Sequence, residues 1–109
     1  MNKTSCTRYN CPIEAAIVLI GGKYKAIILW HLMTGTLRYN EIHKRIPNAT
    51  DKMLTQQLRE LERDGLINRE VYPVVPPKTE YSLTNFGKSI TPILDEMCNW
   101  AESYLALKK

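Results

Sequence analysis

Thr50-Asp51-Lys52-Met53-Leu54-Thr55-Gln56-Gln57-Leu58-Arg59-Glu60-Leu61-Glu62-Arg63-Asp64-Gly65-Leu66-Ile67-Asn68-Arg69 is the stretch that decides the fold. Leu54, Leu58 and Leu61, joined by Met53, recur at helical spacing, so one face buries while Lys52, Thr55, Gln56 and Arg59 share the opposite face. Pro47-Asn48-Ala49 breaks the preceding segment. The Thr50 hydroxyl is suited to accept from the first free amides, and Asp51 suits the positive end of the helix. Gly65 then ends it in a left-handed cap position. Four long polar side chains, two basic and one an amide, suit the base edges and phosphates of a major groove, so the segment reads as a DNA recognition helix. Ordinary solvated helices carry such residues too, and Asp51, Glu60, Glu62 and Asp64 offset the basic charge, so the flanking chain has to decide.

Working outward, residues 40–46 read as a short helix with Ile42 and Ile46 inward, and together with residues 50–64 they make a helix-turn-helix over 40–64. Before it, Thr36-Leu37-Arg38 reads as a short strand and Lys23 to Met33 as a core helix through Tyr24, Ile27, Ile28, Trp30 and Leu32. Cys11-Pro12 announces an earlier helix over 12–20, with proline at its first position. Ala15, Ala16, Val18, Leu19 and Ile20 make that helix apolar on most sides, more than one small core needs, which suggests burial between subunits. After the recognition helix, residues 66–72 and 79–83 read as strands around Pro73-Val74-Val75-Pro76-Pro77-Lys78. Three prolines in those six residues stiffen the connection into a projecting wing over 66–83. Thr84 or Asn85 starts the last helix, in which Ile90, Ile93, Leu94, Met97, Ala101, Tyr104 and Leu105 form a long stripe beside Trp100. The expected fold is mainly α with a small β-hairpin, in the α+β class: one winged helix-turn-helix domain over residues 1–109, in the order α-α-β-α-α-β-β-α, preceded by a flexible arm over 1–11.

A chain of 109 residues suffices for one domain with a real core. Its surplus of 15 basic over 11 acidic residues gives a net charge of +4, which permits a polyanionic partner without demanding one. No apolar run reaches membrane-spanning length and the first residues lack the apolar core of a signal peptide, so a cytoplasmic protein without a membrane partner is expected. Cys6, Cys11 and Cys98 are odd in number and unlike a disulfide framework. His31 and His43 stand apart from them, and no metal site is expected. Gly21-Gly22-Lys23 resembles the end of a phosphate loop, but Ile17 stands where that motif needs its first glycine and Tyr24 where it needs Ser or Thr. With no nucleophile-base pair, no paired catalytic carboxylates and no cofactor loop, neither an enzyme nor a cofactor is expected.

Several stretches, in order, resemble one family: Cys11-Pro12-Ile13-Glu14, Ile20-Gly21-Gly22-Lys23-Tyr24-Lys25, Leu37-Arg38-Tyr39-Asn40-Glu41-Ile42, Lys52 through Glu62, Asp64-Gly65-Leu66-Ile67, and Val75 through Thr84. Together they closely resemble the HxlR family of bacterial winged-helix transcriptional regulators, relatives of the MarR group. The resemblance implies a homodimer, packed through dimerisation helices at 12–20 and 88–107, that binds double-stranded promoter DNA at a pseudo-palindromic site. Lys52, Thr55, Gln56 and Arg59 would enter the major groove and Lys78 would meet backbone or minor groove, with Thr50, Asn40 and Arg38 completing the DNA-binding set. Two positions depart from expectation: Met53 stands where a capping box has Glu or Gln, and Leu105 and Leu107 stand where some relatives carry a cysteine.

Cys11 is the candidate redox sensor. Pro12 holds it extended at a helix start, where free amides favour the reactive thiolate, and Lys23, Lys25 or Arg8 would add positive field. Some members of the family respond to oxidants or reactive carbonyls through the cysteine at this Cys-Pro position. The alternative is a small buried cap residue at the dimer interface. Cys6 is a possible resolving thiol and Cys98 fits the inert buried stripe. A winged-helix module that binds proteins rather than DNA is the alternative function, and no residue pattern names an effector, an operator or the sign of regulation.

Overall fold

The computed structural model describes residues 11–108. Its elements are α1 (Pro12–Ile20), α2 (Lys25–Leu32), β1 (Leu37–Arg38), α3 (Tyr39–Arg45), α4 (Asp51–Arg63), β2 (Ile67–Tyr72), β3 (Lys78–Leu83), α5 (Asn85–Lys88) and α6 (Thr91–Leu107). The three strands form an antiparallel sheet in the order β1-β3-β2. Ile67 faces Leu83 and Tyr72 faces Lys78 across the wing, while Leu37 faces Tyr81 on the other edge. This is the expected winged helix-turn-helix, with Cys6, Arg8 and the rest of the expected N-terminal arm except Cys11 lying outside the described residues.

α4 forms where its leucines demand it. Leu54, Leu58 and Leu61 are buried to 2% exposure or less, and they join Ile28 and Leu29 of α2, Ile42 of α3 and Ile67 of β2 in one core. The Thr50 hydroxyl accepts the Met53 N–H at 3.1 Å, so the cap works without the partner a capping box would add. At the other end Gly65 takes φ +80, its N–H donates to the Glu62 carbonyl at 3.0 Å and that of Leu66 reaches back to Leu61 at 2.9 Å. These paired bonds close the helix and leave the chain turned directly into β2, which is why the strand begins at Ile67 and not at Leu66.

The expected order needs one correction at its end. A single helix from Thr84 or Asn85 onward does not form; Thr84 caps the separate short α5, and α6 starts only at Thr91. Pro92 is the reason, since inside a continuous helix it would lack an N–H for the Lys88 carbonyl and its ring would press on that oxygen. Gly87 lets α5 lie against the wing's base, where a Cβ would collide with the Leu66 carbonyl. α2 also starts later than its periodicity suggests, at Lys25; the Tyr24 N–H, which at a helix start has no partner in the ladder, donates to Gln57 Oε1 of α4 at 3.1 Å.

The first and last helices are only lightly held by this core. No residue of α1 is buried, and Ile13, Ile17 and Val18 are exposed. Of the long stripe on α6 only Leu94 is buried, leaving Ile93, Met97, Trp100, Tyr104, Leu105 and Leu107 exposed. The apolar surplus read from the sequence is therefore real surface in the single chain. No helix among the described residues is long and apolar enough to cross a membrane.

Candidate nucleic-acid interface

Because the leucine seam fixes the roll of α4, its opposite face is presented outward as a unit. Lys52, Thr55, Gln56 and Arg59 line one open groove together with Asp51, Glu60 and Arg63. Lys52, Gln56 and Arg59 are exposed and Thr55 is half-buried. Thr50 precedes this groove as the cap of α4 and does not line it, and its hydroxyl is engaged by the Met53 amide.

The remaining expected residues gather elsewhere. Arg38, Asn40 and Lys78 line a second cleft, formed by the start of α3 and by residues 74–79 of the wing. Arg38 stands at the cap of α3, where its backbone N–H donates to the Glu41 carboxylate at 2.8 Å. Lys78 opens β3, with its ammonium 4.9 Å from the centre of the Tyr72 ring and 3.7 Å from Glu80 Oε2. In this conformation it is folded back on the wing, and residues 73–77 at the tip are all exposed.

Three residues to which sequence reading gave no role stand in or beside the clefts. Tyr39 lines the second cleft and donates its hydroxyl proton to Asp51 Oδ1, of the first, at 2.7 Å. Burial, followed by that hydrogen bond, raises the Tyr39 pKa above 10.0, so the phenol stays a donor at neutral pH. Asp51 also lies 3.3 Å from His43 Nδ1, while His43 Nε2 donates to the Ala49 carbonyl at 2.9 Å. His43 is thus a brace across the turn of the helix-turn-helix, a role that an isolated histidine in a sequence does not advertise. Arg69 of β2 adds a cation beside Thr55 and Arg59. Among the described residues no group of three or more His, Cys, Asp or Glu could hold a metal ion.

Behind the groove a buried lysine was also missed. Lys25 is 5% exposed, its ammonium lies 2.7 Å from Glu60 Oε1, and it donates to the Val18 carbonyl at 3.4 Å. The Lys25 bond, then that from the Gln56 amide, holds the Glu60 carboxyl below its ordinary value of 4.5. Since the folded value is the lower one, the contribution to stability is fully present above pH 4.5 and is lost as pH falls through the folded value. Glu60→Gln is therefore expected to lower the urea midpoint at neutral pH, by about 2 kcal/mol of stability, and to make the acid decline shallower. Parallel pH profiles for the two proteins would contradict this.

Cys11 caps α1 in an extended conformation and is half-buried, as is Cys98 on α6. Lys25, one of the cations expected near Cys11, is committed to Glu60 and Val18.

A polar outward face on the second helix of a helix-turn-helix, flanked by a two-stranded wing, defines the winged-helix class of fold. The chain belongs to the HxlR-like helix-turn-helix family, whose profile matches residues 19–109. It is 56% identical over 96 residues to an HTH-type transcriptional regulator of Methanothermobacter thermautotrophicus, a match covering 88% of this chain and 73% of that one. Against the HTH-type transcriptional regulator YdeP of Bacillus subtilis it is 55% identical over 94 residues, covering 86% of this chain and 73% of YdeP. Its fold is similar to that of the redox regulator HypR in the oxidized form, with a TM-score of 0.81 and 52% identity over 85% of this chain and 96% of HypR.

Proposed function

We propose that the protein is a sequence-specific transcriptional regulator that binds a pseudo-palindromic promoter site as a homodimer. The observation that carries the reading is the outward face of α4, where Lys52, Thr55, Gln56 and Arg59 share one open groove while the leucines behind them are fully packed. Such a helix enters a major groove with its N-terminal half against base edges, and Arg38, Asn40 and Lys78 in the neighbouring cleft suit phosphates and the adjacent minor groove. The family and the relatives named as regulators support it. The exposed apolar residues of α1 and α6 support the dimer, because a second copy would bury both sets. A two-fold pair would hold its reading helices about 34 Å apart, one turn of duplex.

The test is fluorescence anisotropy of the purified protein on its selected site and on random duplex, as a function of salt. Arg59→Ala should weaken specific binding by about 1–3 kcal/mol where it reads a base. Lys78→Ala should weaken all duplexes alike and reduce the salt slope by roughly one unit. Equal losses on both DNAs for both variants would assign the reading to another element, and no salt-dependent binding to any duplex would favour a protein-binding winged helix.

Cys11 is the proposed sensing thiol. It stands half-buried at the start of α1, the helix assigned to the interface, and the similar HypR is a redox regulator. Loss of two electrons to diamide, which is reduced to its hydrazine while Cys11 joins a second thiol, with Cys6 the candidate, as a disulfide, would tilt α1 and change the spacing of the reading helices. Affinity before and after diamide should change for the wild type and not for Cys11→Ser; no change in the wild type, with Cys11 unmodified by mass spectrometry, leaves it a structural cap.

A further inference from the structure

We infer that Gln56 reads an adenine, and that Glu60, itself held by the buried Lys25, is the positioning residue that sets the Gln56 amide for that base. The inference rests on α4 being the DNA-reading helix. Gln56 Nε2 donates to Glu60 Oε2 at 3.1 Å, and Lys25 Nζ lies 2.7 Å from the other oxygen, Oε1. A carboxylate only accepts, so the nitrogen end of the amide must face Glu60, which fixes an orientation that is otherwise ambiguous. Lys25 is itself immobilised: it is 5% exposed, a buried ammonium requires its partner, and its further bond goes to the Val18 carbonyl. A chain of bonds thus runs from the core of the protein through Glu60 to a side chain on the reading face.

The consequence lies in what that chain leaves free. With one N–H of Gln56 given to Glu60, the amide keeps its oxygen as an acceptor and its second N–H as a donor. Adenine presents in the major groove the complementary pair, the N6 donor and the N7 acceptor, and uses both. Guanine presents two acceptors, O6 and N7, one of which would face the amide oxygen; cytosine offers a donor alone, and thymine an acceptor beside a methyl group. Gln56 lies in the N-terminal half of α4 and is exposed, as base contact requires, while Glu60 lies one turn further along with its charge balanced by Lys25. Without Glu60 the amide is free to turn over, and its preference among bases should weaken.

The experiment is selection of binding sites from randomised duplexes, at one salt concentration, by the full chain and by Gln56→Ala, Glu60→Ala and Lys25→Met. The wild type is expected to select adenine at one position of each half-site. Gln56→Ala should lose that preference alone, with affinity for the adenine-containing site reduced about 5- to 150-fold. Glu60→Ala should weaken the preference at the same position several-fold while leaving the other positions selected as before, and Lys25→Met should do the same in smaller measure. A merely structural role for Glu60 would lower all affinities together and leave the base preference intact. Retention of adenine by Gln56→Ala, or loss of a different base, would overturn the assignment of the reader; an unchanged preference in a folded Glu60→Ala would overturn the positioning role. Should Glu60→Ala or Lys25→Met not fold, the double variant Lys25→Met with Glu60→Met, which removes the acceptor without stranding a buried ammonium, takes their place under the same criterion. A wild type that binds without selecting any site would instead bring down the underlying reading of α4, an outcome distinct from selection at positions insensitive to Gln56.

Discussion

Leu61→Ala is expected to lower the unfolding free energy by about 2–5 kcal/mol, because it removes apolar contacts and leaves a cavity that the surrounding helices only partly fill. Leu61 is 0% exposed and sits in the seam with Leu54 and Leu58 on which α4 rests against the core. Against a total of roughly 5–15 kcal/mol for a domain of this kind, one truncation takes a large share. Val75→Ala, a smaller truncation at a tip residue that is 100% exposed, should change stability by less than about 0.5 kcal/mol. Urea unfolding followed by circular dichroism measures both. A loss under about 1 kcal/mol for Leu61→Ala would mean that the seam is not the centre of the fold.

The second large effect is expected on DNA affinity rather than stability. Ile17 is 58% exposed on α1 and Trp100 78% exposed on α6, so Ile17→Glu together with Trp100→Glu should leave the single chain folded. In the proposed dimer the same carboxylates would be buried without partners, and assembly should fail. Losing the second reading helix removes the gain from tethering, so affinity for a two-half-site duplex should fall by about 10²–10⁴-fold while contact with one half-site persists. Sedimentation should report a mass near the 12.6 kDa of one chain. A variant that remains dimeric would place the interface elsewhere.

Much of the fold was legible because its signals are local. The leucine spacing gave α4, Thr50 and Gly65 marked its ends, and the enrichment in β-branched and aromatic residues on either side of the prolines gave the wing. The division of the last helix was missed although Pro92 signals it, since the apolar stripe ran on through the break. The extra apolar faces of α1 and α6 were also legible, as helices too apolar for one core.

The site was legible only as a list. Periodicity placed Lys52, Thr55, Gln56 and Arg59 on one face, because a helix repeats at a known angle and its leucines declare the buried side. By itself the sequence determined which side chains α4 offers. Tertiary structure alone decided that Arg38 and Asn40 meet Lys78 in a separate cleft, since these residues are about 40 positions apart and only the pairing of β1 with β3 brings them together. It decided likewise that Tyr39 holds Asp51 and His43 holds the Ala49 carbonyl, and that Lys25, which the sequence offered as a cation near Cys11, lies buried against Glu60. A charge's partner is fixed by packing across elements, and helical periodicity carries no information about which element lies opposite.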